Sequence, residues 1–227
     1  MNPTPLRFDV PPFVLTGRVY AAVLNHVAQI RALGDAVNRP PYKAPPRAPA
    51  LSIKPRNTQA RDGDAVEVPA FAPALEIGAT LGVVIGRTAC RVPVGAALDW
   101  VAGYTIVNDL SVPLASHYRP AVRLKARDGF CPIGPRVVPA ARIPRPDALA
   151  VTVRVDDAVV WHGDTGQRVR GVAQLLADVT EFMTLQPGDL LLLGAASPAP
   201  QAGPGQRVAI DIEELGTLNH TLIAAVP

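Results

Sequence analysis

Apolar residues in this chain gather in short runs, broken by proline, glycine and charged residues. Val19 to Leu24 is such a run, ended by Asn25, and predicts a buried strand. From Val27 through Ile30, Leu33 and Val37 the spacing changes to that of a helix. Pro40-Pro41-Tyr42-Lys43-Ala44-Pro45-Pro46 then excludes both helix and central strand. Leu51 to Lys54 resumes as a strand, and Pro55-Arg56-Asn57-Thr58 breaks it. Residues 60–76 read as turns and short extended pieces. Leu81 to Gly86 is apolar at nearly every position, which predicts a strand buried on both faces. Val94 to Val101 suits a short helix, and Tyr104 to Val107 a strand stopped by Asn108-Asp109.

Residues 110–135 are polar and basic and predict a long loop, and loops of that length inside a compact domain are usually functional or disordered. The last third is more regular. Val151 to Val155, Asp156-Asp157 and Ala158 to Trp161 predict a hairpin. From Arg168 to Met183 the residues Val169, Val172, Leu175, Leu176, Val179, Phe182 and Met183 fall on one helical face. Leu190 to Leu193, Arg207 to Ile212 and Leu218 to Ile223 follow as strands. There is no internal repeat. Many short strands with two or three helices predict an α+β fold that is mainly β. We read residues 1–16 as an irregular lead-in and 17–227 as one domain.

Composition narrows the function classes. The 227 residues can bury a sizeable core, and 48% hydrophobic content argues against disorder. The 25 prolines argue against a helical bundle, since interior proline removes a hydrogen bond and clashes with the preceding turn. No run approaches the ~20 apolar residues of a membrane span. The net charge is only +3 and the arginines are scattered, so no nucleic-acid stripe is expected. Cys90 and Cys131 match no metal or redox spacing. Met1 to Val14 has polar and proline residues where a signal peptide needs an apolar run, which predicts a cytoplasmic protein.

Candidate chemistry concentrates after Asp109, where His117, Tyr118, Arg119, Lys125, Arg127 and Asp128 follow within one loop. Several cations beside an acid suit a small polyanion, because guanidinium binds carboxylates bidentately and lysine supplies a compact charge. The same composition also describes a solvated basic loop with surface ion pairs. Lys54, Arg56 and Asn57 sit at a strand end, another usual place for ligand groups. His26 follows the first strand and is a candidate base, or else a satisfied structural group; His162 and His220 read as structural. Glu76, Asp109 and Asp128 are the carboxylates near this region. No nucleophile elbow, phosphate loop or dinucleotide fingerprint is present.

Several segments in fixed order resemble the fumarylacetoacetate hydrolase family. They are Gly17 to Asn25, Pro41 to Pro46, Ile53 to Thr58 and Gly78 to Gly86. Ala102-Gly103-Tyr104 with Asn108-Asp109, Tyr118-Arg119-Pro120, and Lys125-x-Arg127-Asp128-Gly129-Phe130-Cys131-Pro132-Ile133-Gly134 complete the set. The resemblance runs from about residue 17 to the C-terminus. It implies a mixed, rolled sheet assembled as dimers or higher oligomers. It also implies Mg²⁺ or Mn²⁺ held by a Glu-x-Glu pair and an Asp, acting as a Lewis acid on the enolate of a 2-oxo acid.

In this sequence the Glu-x-Glu positions fall on Gly78 and Thr80, and Asp109 alone of the acidic ligands is retained. One carboxylate does not hold Mg²⁺ as two or three do. The family's catalytic His and Glu fall on Gln29 and Ala32, and its late Gly-Thr-Pro reads Gly194-Ala195-Ala196. No metal ligand set is therefore assigned. The resemblance implies a decarboxylase/isomerase of aromatic catabolism acting on an unsaturated oxo-dicarboxylate or oxo-tricarboxylate. Lys125, Asp109 and His26 are its expected catalytic residues, with a lysine replacing the metal as electrophile and His26 or Asp109 carrying protons. Lys54, Asn57, Tyr118, Arg119 and Arg127 are the expected substrate-binding residues. The alternative is a non-catalytic subunit that supports a metal-binding sister carrying Glu-x-Glu. The expected assembly is accordingly a homodimer or such a heteromer, without nucleic acid or membrane.

Overall fold

The computed structural model describes residues 18–114, 116–118 and 121–225. The lead-in expected over residues 1–16 lies outside them. In chain order, β1 (Val19–Val23), α1 (Val27–Leu33), β2 (Ala50–Lys54), β3 (Gln59–Arg61), β4 (Ala65–Val68) and β5 (Leu75–Glu76) come first. They are followed by β6 (Ala79–Ile85), β7 (Val101–Asn108), α2 (Val122–Lys125), β8 (Cys131–Ile133) and β9 (Val138–Pro139). The chain continues with β10 (Ala150–Val155), β11 (Ala158–Asp164), α3 (Val172–Phe182) and β12 (Leu190–Leu192). The last strands are β13 (Gln201–Ala202), β14 (Arg207–Ile212) and β15 (Gly216–Ala224).

The larger sheet has eight strands in the order β2-β1-β12-β6-β7-β8-β3, with β9 also paired to β7. It is mixed and curled: β1 pairs β12 and β3 pairs β8 in parallel, while β6 pairs β7 antiparallel. A second sheet runs β11-β10-β14-β15-β4, and β13 pairs β5 in a small third one. The expected α+β, mainly β class is what the chain adopts.

The core explains the apolar runs. β6 is buried at every residue. Leu81, Val83 and Ile85 pack on one side, with Leu175, Leu176 and Val179 of α3 and with Val153, Ile210 and Leu218 of the second sheet. Val84 faces the other side, with Val19, Val107, Ile133 and Leu190. This period of two, apolar on both faces, is that of a central strand.

The predicted hairpin forms, with Asp156 (φ 49°) and Asp157 (φ 69°) both left-handed. That geometry matches the right-handed strand twist, and Asp tolerates it better than most residues. Three expectations need correction. The helix expected from Arg168 starts at Val172, because Asp147 Oδ1 accepts the Val172 N–H and caps it from a distant segment. Val169 is left outside the helix and exposed, and Phe182, the last helical residue, is exposed as well. The stretch from Val94 forms a 3₁₀ helix to Trp100, and β7 already begins at Val101. The long loop of 110–135 contains α2 and β8, which contacts with distant residues stabilise.

Truncation inside this core should be costly. Leu176→Ala is expected to lower unfolding free energy by about 2–5 kcal/mol, through lost transfer energy and the cavity left behind. Ile53→Ala, at a side chain 63% exposed on β2, should stay within about 0.5 kcal/mol. Urea unfolding of both variants checks the contrast.

Candidate functional site

The site grows from the end of β7. Asp109 follows Asn108, and its backbone N–H donates to Gly78 O at 3.0 Å, so β7 and the segment entering β6 stay locked together there. Asn108 fixes the same crossing. Its Oδ1 accepts the Gly78 N–H at 2.8 Å, and its Nδ2 lies 2.8 Å from His220 Nε2 on β15. The amide must then donate to Nε2, which leaves the imidazole proton on Nδ1. Burial holds His220 down to about 4, so the ring is neutral.

Asp109 is 5% exposed and stands between two lysines. Lys54 Nζ is 2.7 Å from Oδ1, and Lys125 Nζ donates to Oδ2 at 3.0 Å. Lys54 is fully buried at the end of β2. Its three protons go to the carbonyls of Leu110 (2.8 Å), Lys125 (2.9 Å) and Phe130 (2.9 Å). The contact with Asp109 Oδ1 is therefore Coulombic rather than a fourth hydrogen bond. Burial works to raise the Asp109 carboxyl, but Lys125 and Lys54 overcome it and hold the group at about 2. Burial pulls the Lys54 ammonium below its ordinary value, against the attraction of Asp109. The neighbouring Cys131 thiol is pushed up to about 12 by burial and is no nucleophile at neutral pH.

Lys125 and Asp109 form one wall of a pocket whose other polar side chains are Gln29, Glu76, Ser111 and His117. Ala22, Gly78, Ala195, Ala196 and Ala199 leave room between them. The pocket continues outward past Leu114 and His117 toward Tyr42 and Ser116. Glu76 Oε2 accepts from Ser111 Oγ at 3.1 Å. Burial raises the Glu76 carboxyl, with Ser111 and Lys125 opposing; burial and Lys125 both lower His117. The pocket thus holds an ammonium, a carboxylate tied to it, a second carboxyl of raised basicity and a neutral imidazole.

The expected site residues separate. Lys125 and Asp109 face the pocket. Lys54 does not: it lies behind Asp109 with its donors used, so it supports the acid rather than a ligand. His26 Nδ1 accepts the Ala28 N–H at 3.1 Å as the cap of α1, and burial and Arg168 hold the ring at about 4. It has no place in the pocket wall. Asn57 Nδ2 donates to Asp128 Oδ1 at 2.7 Å, and Arg127 lies over the Phe71 ring at 5.6 Å; both belong to another face. Tyr118 packs edge-on against Tyr42 with ring centroids 5.9 Å apart. Arg119 lies outside the described residues. Ser111 carried no signal in the sequence. Glu76 did, since two residues from Gly78 on an extended segment it shares that residue's face.

The residues present do not fit the divalent ion of the family pattern. A Cβ on Gly78 would stand 2.2 Å from Asp109 O, so no carboxylate can be carried there without moving the backbone. Thr80 Oγ1 accepts the Gly194 N–H at 3.1 Å. Among the described residues no group of three or more His, Cys, Asp or Glu could hold a metal ion.

Sign and size of the shifts give a pH prediction. His26 and His220 have folded values below the unfolded one, so the unfolded chain binds their protons first, and stability should fall as pH drops from about 6.5 toward 4. Asp109, also depressed, contributes stability above its unfolded value that is lost between about pH 4 and 2. Asp109→Asn should cost about 3–5 kcal/mol at neutral pH, because it leaves Lys54 buried without a counter-charge. Denaturant melts across pH 2–7 check all three points.

The fumarylacetoacetate hydrolase C-terminal family model matches residues 18–223. Over 92% of this chain, the 4-hydroxyphenylacetate degradation bifunctional isomerase/decarboxylases of Salmonella dublin and Escherichia coli are 39% and 37% identical. The chain spans about half the length of these curated relatives, 48% of each. The crystal structure of 2-hydroxyhepta-2,4-diene-1,7-dioate isomerase from Mycobacterium marinum superposes with a TM-score of 0.76 at 28% identity, covering 96% of this chain and 78% of that one. No helix among the described residues is long and apolar enough to cross a membrane. With the family pattern matched along nearly its whole length and the sheet and pocket built as described, the chain belongs to the fumarylacetoacetate hydrolase family.

Proposed function

We propose that this chain is a decarboxylase/isomerase component of 4-hydroxyphenylacetate (homoprotocatechuate) catabolism, working in the cytoplasm. Its substrate is 5-oxopent-3-ene-1,2,5-tricarboxylate or 2-hydroxyhepta-2,4-diene-1,7-dioate. The observation that carries this reading is the Lys125 ammonium in the pocket wall, held by Asp109 at 3.0 Å. Loss of CO₂ or of a proton conjugated with a 2-oxo group places negative charge on the oxo oxygen. A fixed cation in a part-buried pocket stabilises that charge with little reorganisation. Lys125 has this role. Asp109 orients it, and Lys54 keeps Asp109 ionised from behind. The names of the relatives and of the M. marinum isomerase support the same class of reaction.

One observation favours a second reading. Gly78 stands where the family pattern has its first metal-binding Glu, and the backbone leaves no room for one. A chain so altered also suits a supporting subunit in a heteromer with a Glu-x-Glu sister.

Assay of the purified, chelator-treated chain for CO₂ release and for oxo–enol interconversion separates the two. Turnover that survives chelation and falls at least ~100-fold in Lys125→Met is expected of the first reading. Absence of turnover with and without Mg²⁺, together with a stable heteromer whose activity survives Lys125→Ala in this chain, assigns the supporting role.

A further inference from the structure

The geometry points to Glu76 as the group that moves the proton in this pocket, a role that neither Asp109 nor His26 is placed to fill. The inference rests on the isomerase reading above and adds its proton carrier. Among the described residues lining the pocket, Glu76 and Asp109 are the two carboxyl groups. They face the same space in opposite electrostatic settings. Asp109 is clamped between two ammonium groups and is too weak a base to take a proton from carbon. Glu76 is half-buried and is held by neutral donors, the Ser111 hydroxyl and the Leu114 backbone N–H, with no ion pair to an ammonium among the described residues. Two carboxyls whose surroundings push them apart in basicity divide the labour of a site: one stays charged, the other exchanges protons. His26 is out of reach of the pocket, its Nδ1 spent on the Ala28 N–H.

The step balances without a co-reactant. The Glu76 carboxylate takes the proton from the γ-carbon of a 2-oxo-3-enoate. The C–H electron pair moves through the conjugated chain onto the 2-oxygen, where the Lys125 ammonium faces it. The proton on Glu76 then returns to that oxygen, giving the 2-hydroxy-2,4-diene, and the reverse sequence restores the oxo form. Ala195, Ala196 and Ala199 put small side chains beside Glu76 and Lys125, and the cavity runs on outward past Leu114 and His117. The charged and titratable groups facing Glu76 are Lys125, Asp109 and His117.

The test uses 2-oxohept-3-ene-1,7-dioate in D₂O, followed by proton NMR. The wild-type chain is expected to exchange the γ-protons. Glu76→Gln, which keeps size and the Ser111 contact, should lose exchange and kcat by at least ~100-fold with KM changed less than ~3-fold. Exchange by Glu76→Gln within ~3-fold of wild type would overturn the role of Glu76 and leave the isomerase reading intact. No exchange by wild type would overturn both. Ser111→Ala guards against a folding defect in Glu76→Gln. Its hydroxyl holds the Glu76 carboxyl down, so its removal should move the acid limb of kcat/KM to higher pH. An unmoved limb counts against Glu76.

Discussion

The site depends on one buried ammonium. Lys54 Nζ binds the carbonyls of Leu110, Lys125 and Phe130 and sits against the Asp109 carboxylate. Those carbonyls lie at the start of the 110–135 segment, at the end of α2 and just before β8. A single side chain from the edge strand β2 therefore gathers a segment that its own sequence leaves without regular structure. The desolvation of such a cation is expensive unless every proton and its charge are answered. Here three carbonyls answer the protons and Asp109 the charge. Removing the carboxylate leaves Lys54 buried without a counter-charge, whereas removing Lys54 leaves three carbonyls without their donor while Asp109 keeps Lys125.

The same clamp sets the charge beside the pocket. With Lys54 behind it and Lys125 beside it, Asp109 is surrounded by fixed positive charge, where the family pattern has a divalent ion. Gly78 completes the substitution, because the close approach of Asp109 O to its Cα leaves no volume for a carboxylate. The local balance changes from metal plus several carboxylates to two ammonium groups plus one. A cation remains in the pocket wall, now covalently part of the chain as Lys125. The buried pair His220 and Asn108 extends this order into the second sheet. It fixes Gly78 against the end of β7, so the position of Asp109 is set from both sheets.

Much of the scaffold could be read from residue order. The apolar run of β6, the Asp156-Asp157 hairpin and the face of α3 are local patterns, and local sterics and burial suffice to produce them. The resemblance also placed Lys54, Asp109 and Lys125 among the expected site residues. The division of labour among them could not be read there. Lys54 and Lys125 both meet Asp109, from positions 55 and 16 residues away in sequence, yet one is sealed off and the other faces the pocket. Sequence left His26 as a candidate base or a satisfied structural group, and its Nδ1 caps α1. Asn57 and Arg127 neighbour Lys54 and Lys125 in sequence but turn to another face, where they meet Asp128 and the Phe71 ring.

The sequence by itself determined the class of fold, the family and the loss of the Glu-x-Glu pair, since each depends on residue identity and short-range order. The tertiary structure alone decided which charges meet, which donors are already spent and which carboxyl stays basic. Those are properties of distance and burial. Residues 54, 76, 109 and 125 are brought to one place only when the strands of the larger sheet and the segment beside them close around Lys54.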